Sequence, residues 1–499
     1  MNYTPVIGLE IHVQLKTKSK MFCGCDNDAE HKAPNTAICP VCTGQPGSLP
    51  VPNEQAVRWG ILAGRALGCG VRSHSKFDRK HYFYPDLPKG YQISQFDEPI
   101  GIGGEVAIPG TDRTVLLDHI HLEEDAAKLS HRESDNASLV DFNRAGTPLI
   151  EIVTQPTIQS PEDAKLFLQE LRLMMRYLDV SDADMEKGHL RCDANISMRP
   201  EGERDLYPKT EVKNLNSFRA VERALQYEIK RQKQLWLAGK PPMVQNTRRW
   251  NEARQETVVM REKETLADYR YFPDPDIPRL HHPEEMVQEI EAMMPEMPAK
   301  RRMRYTEQYG FPEKDMEELV ERKPLGDYFE QVISEMRSWF ESEFQSQEKE
   351  EAQWEKDGRK LSALVANWLI NKFVKQLDDH GKTLKDARVT PENFAELMKL
   401  IWQNKVNSKA AQVILEELIA TRKNPTEIME HRGLVQMDDA GELDAVVDEV
   451  IAANEKVAAE IRAGNTKAAE ALLGQVMAKT KGRANPQAAR EMILKKLGG

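Results

Sequence analysis

Glu10 and His12 lie two residues apart in P-V-I-G-L-E-I-H-V-Q-L, Pro5 to Leu15. On a strand that spacing puts a carboxylate and an imidazole on one face, about 7 Å apart. Both groups are ligands for a divalent cation. Further acids follow in apolar surroundings: Glu123 and Glu124 in H-L-E-E-D, Glu151 in P-L-I-E-I-V and Asp193 in L-R-C-D-A-N-I-S. A lone carboxylate inside an apolar strand needs a partner, because desolvating an unpaired charge is expensive. Glu10, His12, Glu123, Glu151 and Asp193 converging on a sheet face suggest magnesium or a similar hard cation. Ion pairs with the many Lys and Arg residues are the competing account.

A second constellation is Cys23-Gly-Cys25 and, thirteen residues on, Cys39-Pro-Val-Cys42. Two close pairs supply the four thiolates of a tetrahedral zinc, which would fix a loop with little else to bury. Such a closed site has no open position for substrate. Reduced thiols in a loop, or a redox pair at Cys39 and Cys42, are the alternatives. Phe77 to Gln95 packs aromatics with Asp78, Arg79, Lys80, Asp86 and Lys89 around two prolines and a glycine, a density typical of loops that line a site. From Lys467 to the end, seven Lys or Arg stand against two Glu. That local basic surface, around T-K-G-R-A-N-P (Thr480 to Pro486), either meets phosphates or is a solvated helix face.

These groups need elements to hold them. Ile7, Leu9, Ile11, Val13 and Leu15 alternate with the polar residues, which predicts a strand with one face in the core. Strands are also predicted at Val115–Leu122, followed at once by Glu123-Glu124-Asp125, around Glu151, and around Asp193. A helix is predicted from Val57 to Leu67. A second opens at Ser160 as N-cap, with Pro161 in the first position and Asp163 in the capping-box place. A third, long and amphipathic, runs to about Leu237. Prolines at 295–298 mark a boundary, and beyond it the chain is helical and charged without strand-like alternation. A second boundary falls near Asn404 to Asn407. The expected class is α+β, with a mixed α/β domain over 1–294, a helical domain over 295–405 and a small helical tail over 406–499. The acidic stretch Glu341 to Lys360 reads as an exposed loop or helix extension.

Of 499 residues 40% are hydrophobic and 30% charged, the composition of a soluble globular protein. The net charge of −11 argues against a global positive field, so any nucleic-acid contact is local. No apolar run reaches about 18 residues, and M-N-Y-T-P has no basic-then-apolar leader; the expectation is a cytoplasmic protein with no membrane segment. Six cysteines in so long a chain do not make a disulfide scaffold. Neither a G-x-x-x-x-G-K-[ST] loop nor a G-x-S-x-G elbow is present, so any nucleotide is held by metal and basic side chains.

The segments named above, with F-D-R-K-H-Y-F-Y-P-D-L-P-K-G-Y-Q-I-S-Q, N-R-A-G-T-P-L-I-E-I-V, E-V-K-N-L-N-S-F, D-Y-R-Y-F-P-D-P-D-I-P and G-Q-V-M-A-K-T-K-G-R-A-N-P, together resemble the GatB family of bacterial glutamyl/aspartyl-tRNA amidotransferases. The resemblance covers nearly the whole chain. It implies a cradle domain carrying kinase-like chemistry, a helical domain, and a tail that engages tRNA, here through Lys479, Lys481 and Arg483. It also implies a two-step reaction. ATP, with Mg2+, phosphorylates the side-chain carboxylate of Glu on tRNA(Gln) or Asp on tRNA(Asn). Ammonia, released from glutamine by a partner amidase chain, then displaces the phosphate; a small third chain completes the heterotrimer. Carried over motif by motif, His12, Glu123 and Glu151 hold the main magnesium, and Glu10 and Asp193 a second, weaker one. Glu124 faces the mouth of an ammonia tunnel and takes a proton from ammonium, with Lys80 and Lys89 along the polar wall. Structural Zn2+ would support the fold without entering the reaction. The sequence departs from the family in having Ala126-Ala127 where Ala-Gly is usual, and in its longer acidic stretch at 341–360. A non-catalytic tRNA-binding scaffold and a free-standing ATP-dependent ligase of a small amino acid are the rival readings.

Overall fold

Ile7, Leu9, Ile11 and Val13, alternating with Gly8, Glu10, His12 and Gln14, belong to β1 (Tyr3–Gln14), the central strand of a large sheet. The computed structural model describes residues 2–132, 136–262, 269–343, 347–421, 423–435, 440–480 and 483–498. In chain order the elements that matter for the site are β1, α1 (Glu54–Ala66), β2 (Asp78–His81), β3 (Tyr91–Ser94), β4 (Thr114–Glu124), β5 (Pro148–Thr154), α2 (Pro161–Tyr177), β6 (Leu190–Pro200), β7 (Thr210–Leu215), α3 (Phe218–Leu237), β8 (Asn246–Asn251), β9 (Glu256–Glu262) and β10 (Arg270–Pro273). The main sheet runs β9-β8-β7-β6-β1-β5-β4 and continues through two short strands, Gly101–Ile102 and Gly70–Val71; Glu105–Ala107 also pairs with β4. Every pairing is antiparallel except that of β7 with β8.

One face of this sheet is apolar. Ile7, Leu9, Ile11 and Val13 are buried with Ile150 and Ile152 of β5 and Ala194 and Ile196 of β6. Phe167, Leu168 and Leu171 of α2 and Val221, Ala224 and Leu225 of α3 belong to the same cluster. Burying each large aliphatic side chain contributes about 1.5–3 kcal/mol, so this face fixes the register of β1. The opposite face is then obliged to carry the polar residues of the same strands. Local signals set the helix starts: Asn53 caps α1, Ser160 accepts from the Asp163 amide at the head of α2, and Ser217 caps α3. Asp163 was expected to complete a capping box; its carboxylate instead pairs with Arg113 at 2.7 Å. β4 runs two residues further than expected and takes Glu123 and Glu124 into the sheet, opposite Leu149 and Pro148.

The motifs around Lys80 and Tyr271, nearly two hundred residues apart in sequence, meet as a three-stranded sheet in the order β10-β2-β3. Arg79 ties them by pairing with Asp274 and Asp276, each at 2.8 Å.

By packing, the chain divides into two units, Met1–Ala299 and Lys300–Gly499. The described residues of the second unit are helical and include no strand. The expected exposed acidic stretch forms the end of helix Lys323–Glu343 and the start of helix Gln347–Trp368, with 344–346 outside the described residues. Helices from Ala440 onward enclose their own apolar cluster, with Val447, Leu472, Val476 and Ile493 fully buried.

Candidate functional site

Strand register assembles the polar face. His12 of β1 lies directly opposite Glu151 of β5, Glu151 opposite His121 of β4, and Glu10 opposite Asp193 of β6. Glu123, two residues beyond His121, shares that face. The result is a quartet of two imidazoles and two carboxylates. His12 Nε2 is 3.3 Å from Glu123 and 3.4 Å from Glu151, while His121 Nε2 is 3.5 Å from Glu123 and 3.1 Å from Glu151. Ser94 Oγ adds a hydrogen bond to Glu123 at 3.3 Å.

Burial disfavours charge on each of the four, but their mutual attraction outweighs it. Burial pulls the His12 imidazole down, yet Glu151 and Glu123 raise it to about 10; the same opposition leaves His121 at about 9. Burial and repulsion from Glu151 push Glu123 up, and the two histidines bring it down to about 2. Glu151 is likewise held well below the ordinary carboxylate range. One ligand atom each from His12, Glu123 and Glu151 lies within 4.8 Å of the others, so this nitrogen and oxygen set can close on a hard cation. Binding would require the imidazole to give up its proton.

Glu10 and Asp193 share the face but not the converging set. Asn195 donates to Glu10 at 2.9 Å with Lys209 at 3.6 Å, and Lys213 meets Asp193 at 2.6 Å. Beside Glu10 opens a cavity of about 440 Å³ lined by Gly8, Thr154, Asn195, Tyr207 and Lys209.

Glu124 points away from the quartet, as adjacent strand residues must. It is 2% exposed, accepts the Ile93 amide at 2.9 Å and meets Lys89 Nζ at 2.5 Å. Lys80 takes a different place: burial opposes its charge, but the fields of Glu123 and Glu151 raise its pKa, and its ammonium sits 5.1 Å from the Tyr269 ring. Asp125, one residue further, is buried against Arg191 at 2.7 Å and Gln14 at 3.0 Å.

The four sulfurs of Cys23, Cys25, Cys39 and Cys42 lie within 4.8 Å of one another, and the Cys39 amide donates to Cys42 Sγ at 3.2 Å. A hydrogen bond from Cys23 and the nearby Lys20 ammonium hold Cys42 at about 4, against its burial; burial and the Cys39 and Cys42 sulfurs push Cys25 up to about 11, against a hydrogen bond with Cys23. Four converging soft donors fit a tetrahedral zinc. In the tail, Lys479 is paired with Glu449, Arg483 donates to the Thr480 carbonyl at 3.4 Å, and Lys481 lies outside the described residues.

Comparison with known proteins adds a family. A model described as the GatB/GatE catalytic domain matches residues 5–288, and a GatB domain model matches 351–497. Proteins named as the B subunit of aspartyl/glutamyl-tRNA(Asn/Gln) amidotransferase are similar over their full length. The one from Carboxydothermus hydrogenoformans is 43% identical over 500 residues, 99% of both chains. Those from Caldanaerobacter subterraneus and Thermotoga maritima are 44% and 43% identical, with 100% of both chains covered. The chain belongs to the GatB family. In this GatB chain the catalytic-domain match coincides with the sheet unit and includes the quartet, Glu124 and the cysteines. Of the residues singled out in the sequence, the fold brings together His12, Glu123 and Glu151, and separately Glu124 with Lys89. His121 was not singled out, although its two-residue spacing from Glu123 repeats that of Glu10 and His12.

Proposed function

We propose that this chain activates and amidates an amino acid carried on tRNA: it phosphorylates the side-chain carboxylate of Glu-tRNA(Gln) or Asp-tRNA(Asn) with ATP and then replaces the phosphate by ammonia. The observation that carries this reading is the placement of two adjacent residues on β4. Glu123 belongs to the charged quartet on the polar sheet face, whereas Glu124 is turned away from it and paired with Lys89. Activation and amidation need such neighbouring but separate stations.

Magnesium held by His12, Glu123 and Glu151 would neutralise the phosphate oxygens of ATP and substrate. His121 keeps Glu123 and Glu151 oriented from the other side. Lys80 adds a positive charge where the transferred phosphoryl group gathers negative charge. The cavity of about 440 Å³ beside Glu10 is of the size that holds a small ligand and takes the nucleoside. In the second step Glu124 accepts a proton from ammonium. The freed nitrogen lone pair attacks the acyl carbon, the carbon–nitrogen bond forms, and phosphate leaves with the bonding electrons. One zinc is held by the four cysteines. Glutamine is hydrolysed on a partner amidase chain, with a small third chain in the same complex, in the cytoplasm. The tail from residue 406 on binds the tRNA. No helix among the described residues is long and apolar enough to cross a membrane.

Paired variants of the assembled complex test the two stations. Glu151→Ala abolishes tRNA-dependent phosphate release, whereas Glu124→Gln releases phosphate but forms little amide. Parent-level phosphate release from Glu151→Ala would return the protein to the scaffold reading.

A further inference from the structure

Lys89 is held from two sides. Its ammonium meets Glu124 at 2.5 Å. Against its stem and backbone lies Gly44, so close that a Cβ there would stand 2.6 Å from Lys89 Cγ and 3.0 Å from its Cα and N. Gly44 has φ +67°, the left-handed region that suits glycine. It follows directly on the Cys39–Cys42 turn: its amide bonds to the Val41 carbonyl at 3.1 Å, and that of Gln45 to Pro40 at 2.9 Å. A second link runs through Gly146, which accepts from Met21 at 2.7 Å and donates to Asp125 at 3.0 Å. Between these contacts is a cavity of about 200 Å³, walled by Cys23, Cys42 and Gly44 on one side and by Lys89, Tyr91 and Glu124 on the other.

A cluster that only stapled the chain would need no contact with Lys89. We propose that Gly44 is a positioning residue for the ammonia step: through it the cysteine loop seats Lys89 on Glu124 and so sets how much amide forms per phosphate released. A lysine stem has many rotamers, and the close wall at Gly44 removes those that would leave Glu124 unpaired. This rests on the reading of Glu124 as the acceptor of the ammonium proton.

The test uses the complete complex and measures phosphate released per amide formed, the KM for ammonium and the melting temperature. Gly47→Ala is the comparison, because Gly47 also has positive φ, +86°, but a Cβ there meets nothing within 4 Å. Gly44→Ala should raise phosphate per amide about tenfold over the Gly47→Ala value and raise the KM for ammonium, with phosphate release itself within twofold. Gly44→Asn tolerates the left-handed backbone and should do the same, which carries the test if Gly44→Ala folds poorly. In a Lys89→Met background Gly44→Ala should add nothing. If Glu124→Gln impairs amide formation but both Gly44 variants couple like Gly47→Ala, the role of Gly44 is overturned. If Glu124→Gln forms amide at the parent rate, the reading of Glu124 falls and the inference with it.

Discussion

Two histidines between two carboxylates form a charge-balanced set in which each member depends on the others. Removing His121 leaves Glu123 and Glu151 facing each other with only His12 between, so His121→Asn should slow phosphate release 10- to 100-fold, as loss of a group that orients ligands does; the rate of labelled phosphate release checks this. A different histidine carries a pH dependence of stability. His282 is buried beside Ser75, with Nε2 to Oγ at 2.9 Å, and burial together with the neighbouring His281 and His74 lowers it from 6.5 to about 4. Between those values the unfolded chain binds more protons than the folded one, so stability falls as pH drops from about 6.5 to about 4. His282→Gln should flatten that fall, as measured by denaturation midpoints at pH 7 and pH 5. Glu10, His12, Glu151 and Asp193 could be assigned to sheet faces in the sequence because a strand's period is two. Lys80 and Lys89 could not be separated in that way, since one lies on a short strand and the other in a turn whose course no periodicity records.

At the scale of elements, the quartet's geometry is the register of β1, β5 and β4, and the register is held by the apolar face beneath. Ile11→Ala removes a fully buried side chain from the centre of that face and should cost about 2–5 kcal/mol of stability, read from chemical denaturation. Ser160→Ala, which deletes only the cap of α2, should cost about 1 kcal/mol. Alternation and capping made β1, β4 and the three helices legible in the sequence. Two features were not. β4 continues through Glu123 and Glu124 because His12 on β1, Ser94 and the Ile93 amide on β3, and Lys89 in the turn before β3 satisfy those charges, and of all the partners only His121, on β4 itself, is local. The pairing of β2 with β10 joins segments far apart in sequence, tied by Arg79 to Asp274, a contact that only the assembled sheet creates.

On the scale of the whole molecule, the proposed function places the chemistry on the sheet unit and the tRNA-binding surface on the helical unit. Removing residues 406–499 should weaken tRNA binding at least tenfold, read by filter binding, while tRNA-independent properties of the sheet unit such as zinc content persist. Zinc analysis of the purified protein should give about one ion per chain, lost in the double variant Cys39→Ser, Cys42→Ser. The most direct measurement of the central claim is the release of labelled phosphate from γ-labelled ATP by the assembled complex without an amide donor. Glu-tRNA(Gln), Asp-tRNA(Asn), uncharged tRNA and free glutamate are compared. Carboxylate activation on tRNA requires release only with a misacylated tRNA. Equal release with uncharged tRNA or free glutamate, or none with any of the four, would contradict it.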